Sequence, residues 1–227
     1  MSIFYESYGA SKAYTTPVLT PKHIKRFDKE VGIPAGLQAG MRCLEVGCGT
    51  GHFLSYLRHK GISDFIGIDL DASLQSVVPE SVRDHFQAID VKDFLENAKD
   101  QQPFDRIFMF DVLEHFTAED GYDLLCKFRD RLVPGGSITL KMPNASSPWG
   151  LQFQHGDLTH LTGYTPDSIR QLAIACDMTC DDCYPHLLGS RSRQRMDKLL
   201  QGILNRMVAT PPAIWEGNFY ARLTRNS

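Results

Sequence analysis

The 227-residue sequence lacks any apolar run close to the ~20 residues that span a bilayer. Its first residues show no basic stretch followed by an apolar one, so they do not resemble a secretory signal. It also lacks a strong charge of either sign, because 24 Lys and Arg oppose 27 Asp and Glu and leave a net charge of −3. We therefore expect a cytoplasmic protein without a membrane span, whose partner is not nucleic acid.

The sequence has six cysteines, and they are Cys43, Cys48, Cys126, Cys176, Cys180 and Cys183. Without an export signal, these cysteines are expected to be free thiols rather than disulfides. The last three form a C-x3-C-x2-C pattern, but no fourth ligand stands at the usual spacing for zinc or an iron–sulfur cluster. We predict no metal site there.

Between residues 42 and 142, short apolar runs alternate with helical stretches. The runs occupy residues 43–46, 65–69, 86–90, 104–110 and 137–142. Each is flanked by Gly, Asp or Pro, which is typical of strands buried on both faces. Helices are predicted most clearly at His52–Lys60 and Ala118–Leu132, and the stop signal Val-Pro-Gly-Gly follows the second one. This alternation predicts an α/β fold built on an open, parallel sheet.

Two further parts flank this pattern. Residues 1–40 form a cap segment, with an amphipathic helix predicted around Pro21–Val31, that either covers a ligand or packs on the sheet. Its aromatic residues are Phe4, Tyr5, Tyr8 and Tyr14. The main domain is assigned to residues 41–227, with a substrate loop at about 143–165 and a helical insertion at about 187–217.

The end of the chain is predicted to alternate helices and strands. Thr165 is a good N-cap for a helix that runs to about Cys176, since Pro166 follows it at the first helical position. The later predicted elements are a strand at 178–184, a helix at Gln194–Val208 and a strand at Asn218–Thr224.

The segment LEVGCGTGHFLSYL at residues 44–57 is the most informative stretch. Gly47, Gly49 and Gly51 follow a buried strand and precede a helix, which allows a tight turn and a close approach to a ligand. A phosphate-binding P-loop is excluded because no Lys follows the glycines. The dinucleotide pattern G-x-G-x-x-G fails at His52, and the carboxylate of Glu45 suits a cationic ligand better than a diphosphate.

Carboxylates recur at the ends of the following strands. Asp69 lies 20 positions beyond Gly49, in the usual place for an acceptor of ribose hydroxyls. Asp90 could accept a hydrogen bond from an adenine amino group, and Val91 could donate its backbone N–H to the ring. The fourth strand ends in FMFDVLEH, which places Asp111, Glu114 and His115 at the same edge.

The ordered motifs resemble those of class I S-adenosylmethionine-dependent methyltransferases. The motifs are EVGCGTG at 45–51, ID at 68–69, IDV at 89–91, FDVLEH at 110–115 and LVPGG at 132–136. The resemblance implies a Rossmann-like, mostly parallel sheet of seven strands flanked by helices, with the last strand antiparallel. It also implies S-adenosylmethionine as cofactor and S-adenosylhomocysteine as product.

The resemblance further implies roles for individual residues. Glu45 and the three glycines would line the methionine part of the donor, Asp69 would hold the ribose, and Asp90 and Val91 would hold the adenine. Leu70 and Asp111 are placed in the same donor-binding set.

Transfer to a hydroxyl calls for a general base, and histidine is the usual choice. The candidate catalytic residues are His115, which closes the fourth-strand motif, and His155, Asp157 and His160, which lie in the long loop. Each histidine is either a base or a residue that shapes the pocket. The loop pattern H-x-D-x-x-H could also bind a divalent cation, but no further carboxylate stands nearby, and we predict no metal.

The loop segment PNASSPWG…DLTHLTGYT resembles the matching part of methyltransferases of bacterial surface-polysaccharide and lipopolysaccharide biosynthesis. This implies O-methylation of a sugar or glycan-linked acceptor. Trp149, Phe153 and Tyr164 either stack on a sugar ring or fill the loop. The basic residues of the insertion form either a solvated face or a clamp for an anionic acceptor, and they are Arg191, Arg193, Arg195, Lys198 and Arg206.

Three alternatives remain at this stage. The acceptor could be a phenol, a carboxylate or a quinone-type small molecule. The chain could also be a non-catalytic module that binds S-adenosylmethionine. An NAD oxidoreductase is disfavoured by Glu45 and His52.

Overall fold

The computed structural model describes residues 14–97 and 102–226. Three of the aromatic residues of the predicted cap segment, Phe4, Tyr5 and Tyr8, lie outside these ranges. Within them, seven strands form one sheet in the order β3-β2-β1-β4-β5-β7-β6. The strands are β1 (Arg42–Val46), β2 (Asp64–Asp69), β3 (Phe86–Ala88), β4 (Phe104–Phe110), β5 (Leu132–Pro143), β6 (Met178–Pro185) and β7 (Asn218–Arg225).

The sheet is parallel except at its last strand. Strands β1 to β5 pair in parallel, whereas β7 is antiparallel to both β5 and β6. The predicted Rossmann-like sheet of seven strands is therefore confirmed. Parallel order brings the carboxyl ends of β1, β2, β3 and β4 to one edge, where open α/β sheets bind ligands.

Seven α-helices accompany the sheet in the described ranges. They are α1 (Pro21–Phe27), α2 (His52–His59), α3 (Val91–Asn97), α4 (Ala118–Asp130), α5 (Leu151–Gln154), α6 (Pro166–Ala175) and α7 (Arg191–Met207). None of the helices in these ranges combines the length and apolar character needed to cross a bilayer.

Apolar side chains cover both faces of the sheet. On one face, Leu125 and Phe128 of α4 and Ile169 of α6 belong to the larger core. On the other face, Phe27 of α1 and Leu54 of α2 belong to a second core. Burial on both faces explains why the strands appear in the sequence as continuous apolar runs.

Four predicted boundaries are wrong. The third strand ends at Ala88 rather than residue 90, because Asp90 turns to accept a hydrogen bond from the Lys92 backbone N–H at 2.7 Å and opens α3. The helix predicted to reach Leu132 ends at Asp130. Leu132 instead pairs with Phe104 and begins β5, so the Val-Pro-Gly-Gly segment lies within a strand, beside a register shift.

The helix predicted at 21–31 ends at Phe27 and continues as a π turn over Asp28–Gly32. The Tyr56 hydroxyl donates to Asp28 at 2.7 Å and lies 2.0 Å from where a side chain on Gly32 would begin. The wider turn makes room for this ring. Helix α7 begins at Arg191 instead of residue 194, since Ser190 caps it by accepting from the Arg193 backbone N–H.

Candidate active site

The glycine loop connects β1 to α2 at the carboxyl edge of the sheet. The backbone N–H groups of Gly47 and Cys48 both donate to the Ile68 carbonyl, at 2.8 and 3.0 Å, and this fastens the loop to β2. Gly47, Gly49 and Gly51 all have positive φ, at 70°, 52° and 76°. A left-handed backbone of this kind strains any residue with a side chain.

The three glycines face different surroundings. A Cβ on Gly47 would lie 2.4 Å from a methyl group of Val112, and a Cβ on Gly51 would lie 3.1 Å from Val78. A Cβ on Gly49 would have no protein atom within 4 Å. Gly47 and Gly51 are therefore required by packing, whereas Gly49 opens to space at the ligand edge.

Two carboxylates flank this loop. Asp69 accepts hydrogen bonds from the backbone N–H groups of Gly49 at 2.8 Å and Asp71 at 3.0 Å. Glu45 is 4% exposed, and its Oε2 has no hydrogen-bond partner among the described residues. Burial, reinforced by the charge of Asp69, holds the pKa of Glu45 well above its usual range. A buried acid without a partner is costly, and a cationic group bound here would satisfy it.

Other residues predicted to bind the donor lie along the same edge. Leu70 is exposed after β2, and the partly buried Asp90 and Val91 lie where the chain turns from β3 into α3. Asp111 directly follows β4 and has a positive φ of 56°, and its backbone N–H donates to the Lys141 carbonyl at 2.8 Å. Its carboxylate forms an ion pair with the Lys141 ammonium.

The Glu114 carboxyl lies beside two histidines. One ligand-type atom from each of Glu114, His115 and His160 lies within 4.8 Å of the others, a spacing that would also suit a divalent cation. Glu114 is fully buried, and neither of its carboxyl oxygens has a hydrogen-bond partner in the described ranges. Burial, with the nearby charge of Asp111, raises the pKa of Glu114 to about 8. The carboxyl is therefore mostly protonated at neutral pH.

A chain of hydrogen bonds fixes the tautomer of His115. The Thr159 hydroxyl donates to Asp157 at 2.6 Å, so its oxygen accepts from His115 Nδ1 at 2.9 Å. The proton then resides on Nδ1, and Nε2 carries a lone pair. Burial, followed by the charge of His160, holds the pKa of His115 below its usual value. His115 is thus a neutral imidazole at neutral pH.

The tautomer of His160 is also fixed by a hydrogen bond. Its Nδ1 lies 3.0 Å from the Gln154 carbonyl, which only accepts, so Nδ1 carries the proton. Its Nε2 lies 3.9 Å from a Glu114 carboxyl oxygen. The loop that carries His160 is held in place because the backbone N–H groups of Leu161 and Thr162 donate to the Glu114 carbonyl.

His155 is not part of this group. It is exposed at the end of α5, and Trp149 and Phe153 are also more than a third exposed, while Tyr164 is buried in the core. The structure therefore brings together three of the four predicted catalytic residues, His115, Asp157 and His160, and leaves His155 outside.

A second polar cluster lies beside the Asp111–Lys141 pair and was missed by the sequence analysis. The Tyr220 hydroxyl donates to the buried Glu30 at 3.1 Å, and His186 Nε2 lies 3.7 Å from the same carboxylate. Burial, followed by the charge of Lys141, lowers the pKa of His186 to about 4. One feature of the sequence indicates a polar site here, because Lys141 is the only charged residue in the predicted buried strand SITLKM.

Comparison with known proteins identifies the family of the chain. A family model described as a methyltransferase domain matches residues 22–179 of the chain. No curated protein matches the sequence of this chain.

Solved structures share the fold at low sequence identity. The N-methyltransferase NodS from Bradyrhizobium japonicum, solved with S-adenosylhomocysteine, is 16% identical, covers 100% of both chains and has a TM-score of 0.67. A methyltransferase dependent on S-adenosylmethionine from Archaeoglobus fulgidus is 20% identical, with a TM-score of 0.66 over 88% of this chain and 92% of its own. One from Clostridium acetobutylicum is 10% identical, with a TM-score of 0.62 over 98% of this chain and 96% of its own. Since the family model spans well over half of the sequence, the chain belongs to the methyltransferase domain family.

Proposed function

We propose that this protein transfers a methyl group from S-adenosylmethionine to a hydroxyl group of a sugar or glycan-linked acceptor. The observation that carries the proposal is the pairing, at one sheet edge, of an acid-flanked glycine loop with a histidine held as a neutral base. The family supplies the reaction class, methyl transfer.

The donor site is supported by the chemistry of the loop. When bound, S-adenosylmethionine supplies an electrophilic methyl group on a cationic sulfur. Glu45 would offer its unpartnered carboxyl to the cationic part of the donor, and Asp69 would offer carboxylate oxygens to the ribose hydroxyls. Gly49 would let the backbone approach the donor, while Asp90 and Val91 would hold the adenine.

His115 would act on the acceptor. Its Nε2 would take the proton of the acceptor hydroxyl as the oxygen accepts the methyl group, and S-adenosylhomocysteine would be left as product. Asp157, through Thr159, would keep His115 in the required tautomer and stabilise the imidazolium that forms. Glu114 and His160 would fill the space behind it, so that water is excluded.

A sugar acceptor is supported by the long loop that supplies Asp157 and Thr159, the hydrogen-bond partners that orient His115. The same loop carries the exposed Trp149 and Phe153, and the Trp149 ring lies 5.3 Å from that of Trp215. Aromatic faces of this kind can stack on sugar rings.

The acceptor class is tested with labelled S-adenosylmethionine and a panel of nucleotide sugars, lipid-phosphate-linked sugars, phenols and carboxylates. We expect label in at least one sugar. Label only in a phenol or carboxylate would contradict the sugar assignment. Tight binding of S-adenosylhomocysteine without any turnover would instead identify a non-catalytic module.

Asp69→Ala is expected to weaken the affinity for S-adenosylhomocysteine by ~1–3 kcal/mol, because charge-assisted hydrogen bonds to the ribose are lost. Isothermal titration calorimetry measures this change directly. The matched control is Asp64→Ala, at the other end of β2, where the side chain is exposed and pairs with Arg42. Equal affinities of wild type and Asp69→Ala would remove Asp69 from the donor site.

A further inference from the structure

Helix α7 turns its polar side toward the protein. Gln201 donates to the Glu216 carboxylate at 3.1 Å, and the Trp215 indole N–H donates to Asn205 at 2.7 Å. No residue of α7 is buried. The partly buried residues of α7 are Gln194, Asp197, Gln201 and Leu204, so its inner side is mostly polar, unlike that of an ordinary surface helix.

The apolar stripe of α7 is exposed to solvent. Its members follow the helical spacing i, i+3, i+4, i+7 and i+11, and all are between 47% and 76% exposed: Met196, Leu199, Leu200, Ile203 and Met207. Helical geometry puts these five positions on one face about 100° wide. A continuous exposed apolar stripe of this size is typical of a surface that binds another protein, a ligand or a membrane.

Basic residues flank the stripe. Arg193 forms an ion pair with Asp197 at 2.9 Å. Four further cations are exposed and have no ion pair within the described part of the chain, and they are Arg191, Arg195, Lys198 and Arg206. Because Asp197 is the only acid of α7, the helix presents a strongly positive field beside its apolar face.

A groove lies between this helix and the segments that carry Trp149 and Trp215. It has a volume of about 230 Å³, and its lining combines aromatic and apolar side chains, among them Trp149, Leu200 and Trp215, with polar ones such as Gln194 and Glu216. His186, from the polar cluster next to Asp111 and Lys141, lines the same groove. A molecule held at the exposed face of α7 would therefore lie beside a groove that also borders His186.

We propose that α7 lies in the headgroup region of an anionic lipid bilayer, with its apolar stripe inserted and its arginines on lipid phosphates. A basic amphipathic helix of low overall hydrophobicity, with nearby tryptophan and phenylalanine, has the composition of an interfacial anchor. A second copy of the chain fits less well, because two such helices would bring like charges together. Nucleic acid would use the arginines but leave the apolar stripe in water.

This placement bears on the acceptor. A glycan linked to a lipid phosphate would be held at the same surface, and the groove would admit its end nearest the lipid. The membrane contact itself rests on α7 alone and not on the donor or acceptor assignment.

Vesicle flotation of the full chain tests the proposal, with vesicles of equal parts phosphatidylcholine and phosphatidylglycerol compared with pure phosphatidylcholine. We expect wild type to float with the anionic vesicles and to be released by high salt. The double variant Leu199→Ser/Ile203→Ser should bind at least about tenfold more weakly, because the inserted side chains become polar. The control is Ile174→Ser, which removes a side chain that is 77% exposed on α6 and should bind as wild type does.

Affinity for S-adenosylhomocysteine is measured in parallel and should be the same in all these variants, which separates membrane binding from the methyltransferase site. Absence of wild-type flotation would overturn the proposal. So would equal flotation of the double variant, since binding would then be electrostatic alone. A wild-type dimer that becomes monomeric in the double variant, with no vesicle binding by either, would assign the stripe to a second copy instead.

Discussion

His115→Gln is expected to lower the turnover number by ~10²–10⁴-fold while the affinity for S-adenosylhomocysteine stays unchanged. Glutamine keeps a polar group of similar reach but cannot accept the proton of a hydroxyl group. Single-turnover kinetics with labelled donor measure the chemical step, and calorimetry measures the affinity. The expectation follows from the hydrogen-bond chain in which Asp157 and Thr159 keep the proton of His115 on Nδ1.

The dependence of wild-type turnover on pH provides an independent test of His115 as general base. A general base works in its neutral form, and burial together with His160 holds the pKa of His115 below its usual value. Turnover should therefore rise with pH through this lowered pKa and be level by neutral pH. His115→Gln should lose this acid limb.

Two controls define what a negative result would mean. His155→Gln alters the exposed histidine of the 143–165 loop, which also carries His160, and should retain wild-type turnover. Treatment with a chelator should leave wild-type turnover unchanged if His115 is a general base. If His115→Gln turns over at the wild-type rate, His115 is not the general base. If a chelator abolishes wild-type turnover and a divalent cation restores it, Glu114, His115 and His160 bind a metal.

Local signals in the sequence were sufficient for the sheet and the glycine loop. Strands buried on both faces leave continuous apolar runs, and the glycine spacing records a turn that needs positive φ at Gly47, Gly49 and Gly51. The position of Asp69 followed from the same local geometry. By contrast, the turn preference of Val-Pro-Gly-Gly was overridden by pairing with β4, because tertiary contacts outweigh local propensity.

The side-chain contacts within the polar clusters could not be predicted because their members are distant in the sequence. His160 reaches Glu114 only because Leu161 and Thr162 fold back onto its carbonyl. Glu30 and Tyr220 are 190 positions apart and meet across the second core. Helix α7 shows a further limit, since its periodicity reveals an amphipathic helix but not which face is turned outward.

Gly49→Ala is expected to weaken the affinity for S-adenosylhomocysteine by ~100-fold, equivalent to about 2.7 kcal/mol. A Cβ on Gly49 meets no protein atom within 4 Å, so the added methyl group would occupy the space into which the donor has to come. Calorimetry gives the affinity, and thermal unfolding gives the stability of each variant.

Gly61→Ala is the matched control for this substitution. Gly61 has a φ of 77°, and a Cβ there would also meet nothing within 4 Å, but it lies beyond α2, at the opposite end of that helix from the glycine loop. Both variants should lose a similar ~1–2 kcal/mol of folding stability from the left-handed backbone. Only Gly49→Ala should lose affinity, because only that methyl group would lie against the donor. If the two variants bind S-adenosylhomocysteine equally well, the donor does not lie on the glycine loop, and the proposed arrangement of the site is wrong.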